Sequence, residues 1–321
     1  MKFLVIQTAF LGDAILASAV PEKLHSFHPT SSIDLLVRKG NETVFEGHPY
    51  LNQVLALDKK KNKWMNILSM AASVRRNKYD VVINLHRFGS SGFITFLSGA
   101  KEKIGFDKNF FSFCYTQKME HAIGNGTHEI ERNHRLIAHL TDAKPALPKL
   151  YPAQKDNDAV KKYISGNYVC IAPASIWYTK QFPKEKWIEL ANLLNTNIFL
   201  IGASGDHALC EEIKSISVSK VITNLAGKLS ILETAALMKN AQMNYVNDSA
   251  PMHIASSVNA STTAIFCSTV PAFGFGPLAE NSKIIETKEK LDCRPCGLHG
   301  YMQCPKGNFK CATSIEIKDI L

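Results

Sequence analysis

Short apolar runs alternate with stretches of helical spacing along most of the chain. In the first half, runs rich in valine, isoleucine and leucine predict four strands, at residues 2–8, 32–38, 52–57 and 80–85. In the second half they predict five more, at residues 168–172, 197–202, 221–224, 243–247 and 263–267. Strands that are apolar at nearly every position are typical of a parallel sheet covered on both faces. The sequence therefore predicts an α/β fold with two Rossmann-like, doubly wound domains.

The two series are separated by a segment without periodicity. Residues 143–158 contain three prolines and a cluster of charged residues, a composition that ends regular structure. A chain of 321 residues, 45% of them hydrophobic, is long and apolar enough for two domains with separate cores. We expect an N-terminal domain of residues 1–150 and a C-terminal domain of residues 151–321.

Two apolar stretches mimic targeting signals. The first twenty residues resemble a secretory signal, but Gln7, Thr8 and Asp13 interrupt the apolar core. The stretch between Asp248 and Glu280 has no charged residue, yet its prolines and hydroxyl groups do not suit a helix of about 20 apolar residues. We therefore expect a cytoplasmic protein whose eight cysteines are reduced.

The charge balance is basic, since 37 lysines and arginines face 28 acidic residues and give a net charge of +9. This excess favours partners that carry phosphates or other anionic groups. Many of the basic residues lie in the first half, at positions 59–61, 63, 75, 76, 78, 101, 103 and 108. They form either an ordinary solvated face or a surface for an anionic partner.

Loops that leave parallel strands are the expected ligand sites of such sheets. The loop at residues 8–13 follows the first strand; Gly12 permits a tight turn, and Asp13 either caps a helix beginning near Ala14 or presents a carboxylate that accepts a proton. This loop lacks the G-x-G-x-x-G pattern, which argues against a common nicotinamide or flavin dinucleotide site.

Two further loops follow strands of the second half. Residues 172–183 include Lys180, which either reaches a phosphate or is simply solvated. In residues 247–253, Asp248 or Ser249 can cap a helix, Pro251 suits its first turn, and His253 follows. Amides at such a helix start bind anions, although a capped helix with a packed histidine is the alternative.

Four segments, taken in this order, resemble a known family. They are Gly12-Asp13 followed by AILASAVPEKLHSFHP, then NLHRFGSSGFITFLSGAKEKIGF, Lys180 before KEKWIEL, and NDSAPMH at residues 247–253. Together they resemble the ADP-heptose:lipopolysaccharide heptosyltransferases over residues 2 to about 318. The resemblance implies the GT-B architecture of two Rossmann-like domains facing a cleft, and sugar transfer with inversion and without a catalytic metal.

The resemblance also implies roles for individual residues. Asp13 is expected to be the general base, and Lys180 to neutralise the departing diphosphate. Asp248 matches a family position and is expected to orient its loop or contact a hydroxyl, because a carboxylate would repel a diphosphate. The remaining residues expected on the donor side are Ser175, Thr179, Ser249, Ala250, Met252 and His253. The family commonly has glycine where this chain has Ala250, so the added methyl matters if the backbone there has positive φ.

The implied partners are an ADP-sugar donor and an anionic, lipid-anchored saccharide acceptor bound by the first domain at the inner face of the cytoplasmic membrane. Residues 87–91 could contact acceptor phosphates or cap a helix. Nucleic acid is not expected, since no helix-turn-helix, aromatic-basic sheet signature or finger spacing is present. The alternatives are a GT-B enzyme that uses another nucleotide sugar, or a non-catalytic nucleotide or nucleic-acid binding protein with a zinc module.

That zinc module would lie in the C-terminal cysteines. Cys293, Cys296, Cys304 and Cys311 have the spacing C-x2-C-x7-C-x6-C. Three interpretations remain: structural zinc, buried free thiols, and disulfides.

Overall fold

The computed structural model describes residues 1–164, 166–218 and 221–321. The chain divides into two compact units, Met1–Tyr151 (unit 1) and Pro152–Leu321 (unit 2). The division falls within residues 143–158, the proline-containing segment that separates the two series of predicted strands.

Unit 1 is built on a six-stranded parallel sheet. Its strands are β1 Lys2–Gln7, β2 Ser32–Arg38, β3 Gln53–Leu57, β4 Val81–Asn84, β5 Glu102–Phe106 and β6 Gln117–Met119. Its helices are α1 Leu11–Ala17, α2 Ala19–Phe27, α3 Lys63–Arg76, α4 Gly89–Leu97 and α5 Glu129–Arg135. The strand order is β3-β2-β1-β4-β5-β6, so the chain changes direction across the sheet between β1 and β4.

Unit 2 repeats this plan. Its strands are β7 Tyr168–Ala172, β8 Asn197–Leu200, β9 Ile222–Asn224, β10 Met243–Asn247, β11 Thr262–Phe266 and β12 Ser282–Glu286. Its helices are α6 Gln154–Val160, α7 Lys184–Leu193, α8 His207–Ile216, α9 Ile231–Lys239, α10 Ala250–Ser257 and α11 Lys310–Thr313. The order is β12-β11-β10-β7-β8-β9, which places the change of direction between β7 and β10.

The central strands are buried, which explains their apolar composition. In β1 the side chains from Phe3 to Ile6 have no exposed surface, and in β7 all five residues are buried. Each fully buried side chain of this size stabilises the fold by about 1.5–3 kcal/mol. The two cores are therefore organised around the first strand of each unit.

The two-domain Rossmann-like fold class is confirmed, and all nine predicted strands are present with ends that differ by at most two residues. The prediction missed β5, β6 and β12. The edge strand β12 exposes four of its five side chains, β6 has no buried side chain, and β5 begins with Glu102 and Lys103. None of the three strands therefore has a continuous apolar run. Within the described ranges, no helix has both the length and the apolar character needed to span a bilayer.

Candidate functional site

The point where the strand order reverses in unit 1 brings together loops that leave β1 and β4. Thr8, just after β1, has its Oγ1 3.2 Å from Nδ1 of His86, just after β4. Lys59 reaches the same place from the loop after β3, and its Nζ donates to the carbonyl oxygen (3.0 Å) and Oγ1 (2.8 Å) of Thr8. Such reversal points are the usual ligand sites of open parallel sheets.

Burial controls the protonation of this cluster. It lowers the pKa of His86 to about 3, with smaller contributions from the cations Lys59 and Arg87, so His86 is neutral at physiological pH. Burial together with neighbouring cations also lowers the pKa of Lys59 to about 8. The sequence placed Lys59 in a basic run, interpreted either as a solvated face or as a surface for an anionic partner, and its position here was missed. Its only sequence signal is that it follows the end of a strand.

Asp13 lies in the first turn of α1. That helix begins at Leu11, earlier than the predicted start near Ala14, and Phe10 occupies the N-cap position. The capping role predicted as an alternative for Asp13 is therefore wrong, because Asp13 is the third helical residue. A carboxylate in a first helical turn is stabilised by the helix dipole.

A buried acid–base pair lies within electrostatic reach of Asp13. Burial raises the pKa of Glu129 to about 7, and the charge of Asp13 adds to this rise while Arg132 opposes it. The Nε and Nη2 atoms of Arg132 both lie 2.8 Å from Oε2 of Glu129. No sequence pattern points to this pair, which lies on α5, more than a hundred residues from Asp13.

The segment 87–91 supplies fewer ligand groups than its composition indicates. Ser91 is buried, and its hydroxyl donates to the carbonyl oxygens of His86 and Phe88, which excludes it from the predicted phosphate contacts. The N-cap of α4 is Phe88, so no serine caps that helix either. Arg87 is half-buried, with its guanidinium 5.4 Å from the ring centre of Phe88.

In unit 2, the reversal point between β7 and β10 holds an ion pair. Lys180 Nζ lies 2.8 Å from Oδ2 of Asp248, and the side chains are only 15% and 7% exposed. The same carboxylate oxygen accepts a hydrogen bond from Oγ1 of Thr269 at 2.6 Å. Asp248 thus holds the lysine in place.

Asn247, the last residue of β10, joins the two loops that carry this pair. Its Oδ1 accepts from the amide of Phe182 at 2.9 Å, and its Nδ2 donates to the carbonyl of Pro173 at 2.8 Å. Both partners belong to the loop that contains Lys180. Asn247 is fully buried and was quoted in the sequence motif without a role of its own.

The start of α10 follows the predicted pattern. Ser249 is the N-cap, and Pro251 lies in the first turn. The backbone at Ala250 does not have positive φ, so its methyl group fits without strain. Met252 and His253 are buried, and the amide of Met252 already donates to the carbonyl of Ser249 at 3.0 Å. The amides earlier in this turn are therefore better placed for an anion than that of Met252.

Of the three hydroxyl residues predicted on the donor side, Ser175 and Thr179 lie in the same loop but differ in environment. Thr179 is buried, and its Oγ1 accepts from Oγ of Ser268 at 3.0 Å and from the amide of Tyr301 at 2.8 Å. A side chain at Gly300 would bring its Cβ to 2.8 Å from that oxygen. Thr179 therefore anchors the C-terminal segment, while Ser175 is partly exposed.

The C-terminal cysteines line one small cavity of about 150 Å³. All eight cysteines are free thiols, so the disulfide interpretation is wrong. In the part of the chain that the structure describes, no group of three or more His, Cys, Asp or Glu residues is arranged so that it could hold a metal ion. Although burial opposes it, hydrogen bonds from four backbone amides at residues 306–309 lower the pKa of Cys304.

Arg294 connects this cysteine segment to the site and was missed by sequence reasoning. Its Nε donates to the carbonyl of Cys267 at 2.7 Å, and its Nη2 donates to the carbonyl of Thr269 at 2.6 Å. Because Thr269 also donates a hydrogen bond to Asp248, this segment helps to hold the Lys180–Asp248 ion pair in place.

Comparison with known proteins gives the family. Residues 67–300 match the model of glycosyltransferase family 9 (heptosyltransferase). The chain is 27% identical over 296 residues to lipopolysaccharide heptosyltransferase 3 of Escherichia coli K12, with 84% of this chain and 83% of that protein covered. It is 24% identical over 346 residues to lipopolysaccharide heptosyltransferase 1 of Campylobacter coli, with 100% and 97% covered.

A solved structure agrees with these relatives in fold. The E. coli ADP-heptose lipopolysaccharide heptosyltransferase II superposes with a TM-score of 0.79 at 19% identity, covering 94% of this chain and 92% of that one. An enzyme family excludes the non-catalytic alternative drawn from the basic charge and the cysteines. The chain belongs to glycosyltransferase family 9, the heptosyltransferases.

Proposed function

We propose that the protein transfers a heptose from ADP-heptose to a lipopolysaccharide core or lipid A precursor, with inversion at the anomeric carbon. The observation that carries this proposal is the Lys180–Asp248 pair beside the start of α10, at the strand-reversal point of unit 2. A fixed cation next to helix-start amides suits a diphosphate. The names of the relatives, lipopolysaccharide heptosyltransferases, supply the sugar and the acceptor class.

The proposal assigns the acceptor to unit 1 and the donor to unit 2. The carboxylate of Asp13 takes the proton of the acceptor hydroxyl while its oxygen forms a bond to the anomeric carbon. The bond from that carbon to the diphosphate breaks on the opposite face, which inverts the configuration, and ADP leaves with the electron pair. A positioned general base typically contributes about 100- to 10,000-fold in rate.

The departing diphosphate gains negative charge, and fixed donors stabilise it without reorganising. In this proposal Lys180 supplies the cation, Ser175 and the amides of Ser249 and Ala250 supply hydrogen bonds, and Asp248 and Thr179 hold the two loops in position. His253 supports the first turn of α10 from its buried side.

The test is release of ADP from ADP-heptose that depends on a lipopolysaccharide precursor as acceptor. Asp13→Asn should lower kcat by about 100-fold or more while ADP binding, measured by calorimetry, stays unchanged. Asp292→Asn, which changes an exposed carboxylate of unit 2, is the matched control and should be fully active. An Asp13→Asn enzyme as active as the parent would exclude Asp13 as the base.

The choice of nucleotide is tested separately by thermal shift with ADP, UDP, GDP and their sugars. A ligand at about 100 times its Kd stabilises the folded protein by about 2.7 kcal/mol. The largest shift is expected with the ADP ligands. A larger shift with UDP or GDP would favour the GT-B alternative that uses another nucleotide sugar.

We also propose that the enzyme works at the inner face of the cytoplasmic membrane, where its lipid-anchored acceptor would lie. Support comes from the charge distribution. Residues 60–118 contain 11 lysines and arginines against three acidic residues, a local net charge of +8 out of +9 for the whole chain. Basic residues near an anionic surface contribute about 1 kcal/mol each to binding.

A further inference from the structure

A group of phenylalanine rings stands exposed on unit 1. Phe110, Phe111 and Phe113 lie between β5 and β6 and are here called the aromatic loop. Phe110 is 78% and Phe113 70% exposed, and Phe96 of α4, 42% exposed, stacks on Phe111 with ring centres 5.8 Å apart. Phe111 also contacts Phe110 and Phe113, with centres 5.2 and 6.0 Å apart.

Buried Asn109 anchors one end of the aromatic loop. Its Nδ2 donates to the carbonyls of His86 (3.0 Å) and Phe88 (3.1 Å), and its Oδ1 accepts from the amide of Phe111 (2.9 Å). Gly92 leaves room for it, since a Cβ there would lie only 2.0 Å from Oδ1 of Asn109. The backbone that carries the rings is therefore fixed by specific contacts.

Tyr115 anchors the other end. It is buried, and its hydroxyl accepts from Nδ2 of Asn84 at 2.9 Å. Gly105 makes space for the ring, because a Cβ there would lie 2.4 Å from it. With both ends held by buried polar contacts, the rings are presented outward by a defined loop, not by a loosely folded one.

A second exposed apolar feature lies on a neighbouring helix. Trp64, Met65 and Leu68 at the start of α3 are 71%, 70% and 55% exposed. Trp64 and Leu68 are one turn apart, so they form a stripe along α3. The helix packs beside α4, and Nη1 of Arg75 donates to the carbonyl of Leu97 at 3.3 Å.

Clusters of large exposed apolar side chains mark interaction surfaces in soluble proteins. The charge around them identifies the partner. Lys60, Lys61 and Lys63 precede or begin α3, and Lys108 lies within the loop that carries the phenylalanines, and all four are exposed. Aromatic and aliphatic side chains flanked by lysines are the combination that binds the headgroup region of an anionic bilayer.

We propose that the aromatic loop and the stripe of α3 insert into the headgroup region of an anionic membrane and dock unit 1 there. This inference deepens the proposed function, on which it rests for the lipid-anchored acceptor. The basic residues draw the protein to the surface, and the rings hold it by burying apolar area.

The experiment is flotation of the full chain with vesicles of phosphatidylethanolamine, with and without phosphatidylglycerol. The parent should float with the anionic vesicles, and Phe110→Ser/Phe113→Ser should lower its partition coefficient about tenfold or more. Trp64→Ser/Leu68→Ser should also lower it. Leu193→Ser/Ile216→Ser, which removes exposed apolar side chains of unit 2, is the matched control and should bind like the parent.

Fluorescence gives a second readout. In a Trp177→Phe background, the emission of exposed Trp64 should shift to the blue with anionic vesicles, while Trp187 is already buried. A parent that stays unbound, or a Phe110→Ser/Phe113→Ser variant that binds like the parent, overturns the proposal. It is also overturned if the phenylalanine variant converts a dimer into a monomer in sedimentation velocity and the parent binds no vesicles, because the surface is then a self-association interface.

Activity on a deacylated, water-soluble acceptor separates this inference from the proposed function. The phenylalanine variant should keep the parent's rate there and lose rate only with acceptor in vesicles. If the parent binds vesicles but transfers no heptose, the proposed function fails and the docking surface stands. If the parent transfers heptose but the variant behaves like it on vesicles, the docking surface fails alone.

Discussion

The strand-reversal points of the two units hold their charges in different ways. In unit 2, Lys180 and Asp248 form an ion pair at 2.8 Å that is almost buried. In unit 1, the buried His86 is neutral, Lys59 has a pKa of about 8, and Asp13 stands partly exposed at the start of α1. The same fold therefore provides a fixed ion pair in one unit and, in the other, a neutral histidine beside a lysine whose pKa lies close to physiological pH.

This difference matches the chemistry assigned to each unit. Holding a diphosphate requires charges and hydrogen-bond donors that do not move, which the ion pair and the Asn247 contacts provide. Accepting a proton requires a group that is ionised yet accessible. The predictions below test whether this contrast is functional.

The largest effect is expected from Lys180→Met. Loss of a fixed donor at developing charge should lower kcat/KM about 100- to 1000-fold. It should also lower the free energy of unfolding by about 3 kcal/mol, because it leaves the Asp248 carboxylate buried and unpaired. Steady-state kinetics and urea unfolding measure the two effects.

A double variant separates these two consequences. Lys180→Met/Asp248→Asn removes the unpaired charge and should recover much of the stability without recovering activity. Lys214→Met, which breaks a surface pair with Glu211, is the control and should change neither. Recovery of activity in the double variant would show that Lys180 serves stability alone.

The contrast between the units also shows what sequence could predict. The start of α10 was predictable because a strand end, a serine N-cap and a proline in the first turn act over a few residues. The positions of Lys59 and Glu129 were not, because they depend on strand order and on packing between distant segments. Asn247 was visible in its motif, but its partners in the loop after β7 were not.

Acidification should lower the stability of unit 1 more than that of unit 2. Burial lowers the pKa of His86 to about 3 and of His121 to about 4, with neighbouring cations contributing, below the ordinary value of 6.5. At each of these two histidines the unfolded state binds more protons below pH 6.5, so the stability that they contribute is complete above that pH and is lost as the pH falls towards 4. Glu129, whose pKa burial raises to about 7, opposes part of this loss. Each histidine should contribute a slope of about 1.4 kcal/mol per pH unit.

Urea unfolding at pH values from 7.5 to 5 measures this loss of stability. Hydrogen exchange over the same pH range locates it, and protection should be lost first in β1–β5. His86→Asn should make the slope less steep. The exposed His207 of unit 2 is the control position, and His207→Asn should leave the slope as it is. Equal loss of hydrogen-exchange protection in both units would contradict this difference between them.

Asn247→Ala should have a smaller effect. It leaves the buried amide of Phe182 without its acceptor, which costs about 1–3 kcal/mol of stability. The loop that carries Lys180 would lose its attachment to β10, so ADP binding should weaken along with stability. Gln242→Ala, at an exposed position just before β10, is the control. An Asn247→Ala protein with normal ADP affinity would show that this attachment does not organise the donor site.

The smallest effect concerns the buried acid on α5. Glu129 has a pKa of about 7 and lies within electrostatic reach of Asp13. As Glu129 ionises, its charge makes Asp13 a stronger base, so kcat/KM should rise through pH 7 by about fivefold, which corresponds to an interaction of about 1 kcal/mol between the two charges. In Glu129→Gln that rise should disappear, while Glu131→Gln, on the exposed side of the same helix, should keep it. If both variants keep the rise, another group causes it and the coupling to Asp13 has no kinetic role. If only Glu129→Gln loses the rise, ionisation of Glu129 sets the base strength of Asp13. Unit 1 then uses a residue that changes protonation where unit 2 uses a fixed ion pair.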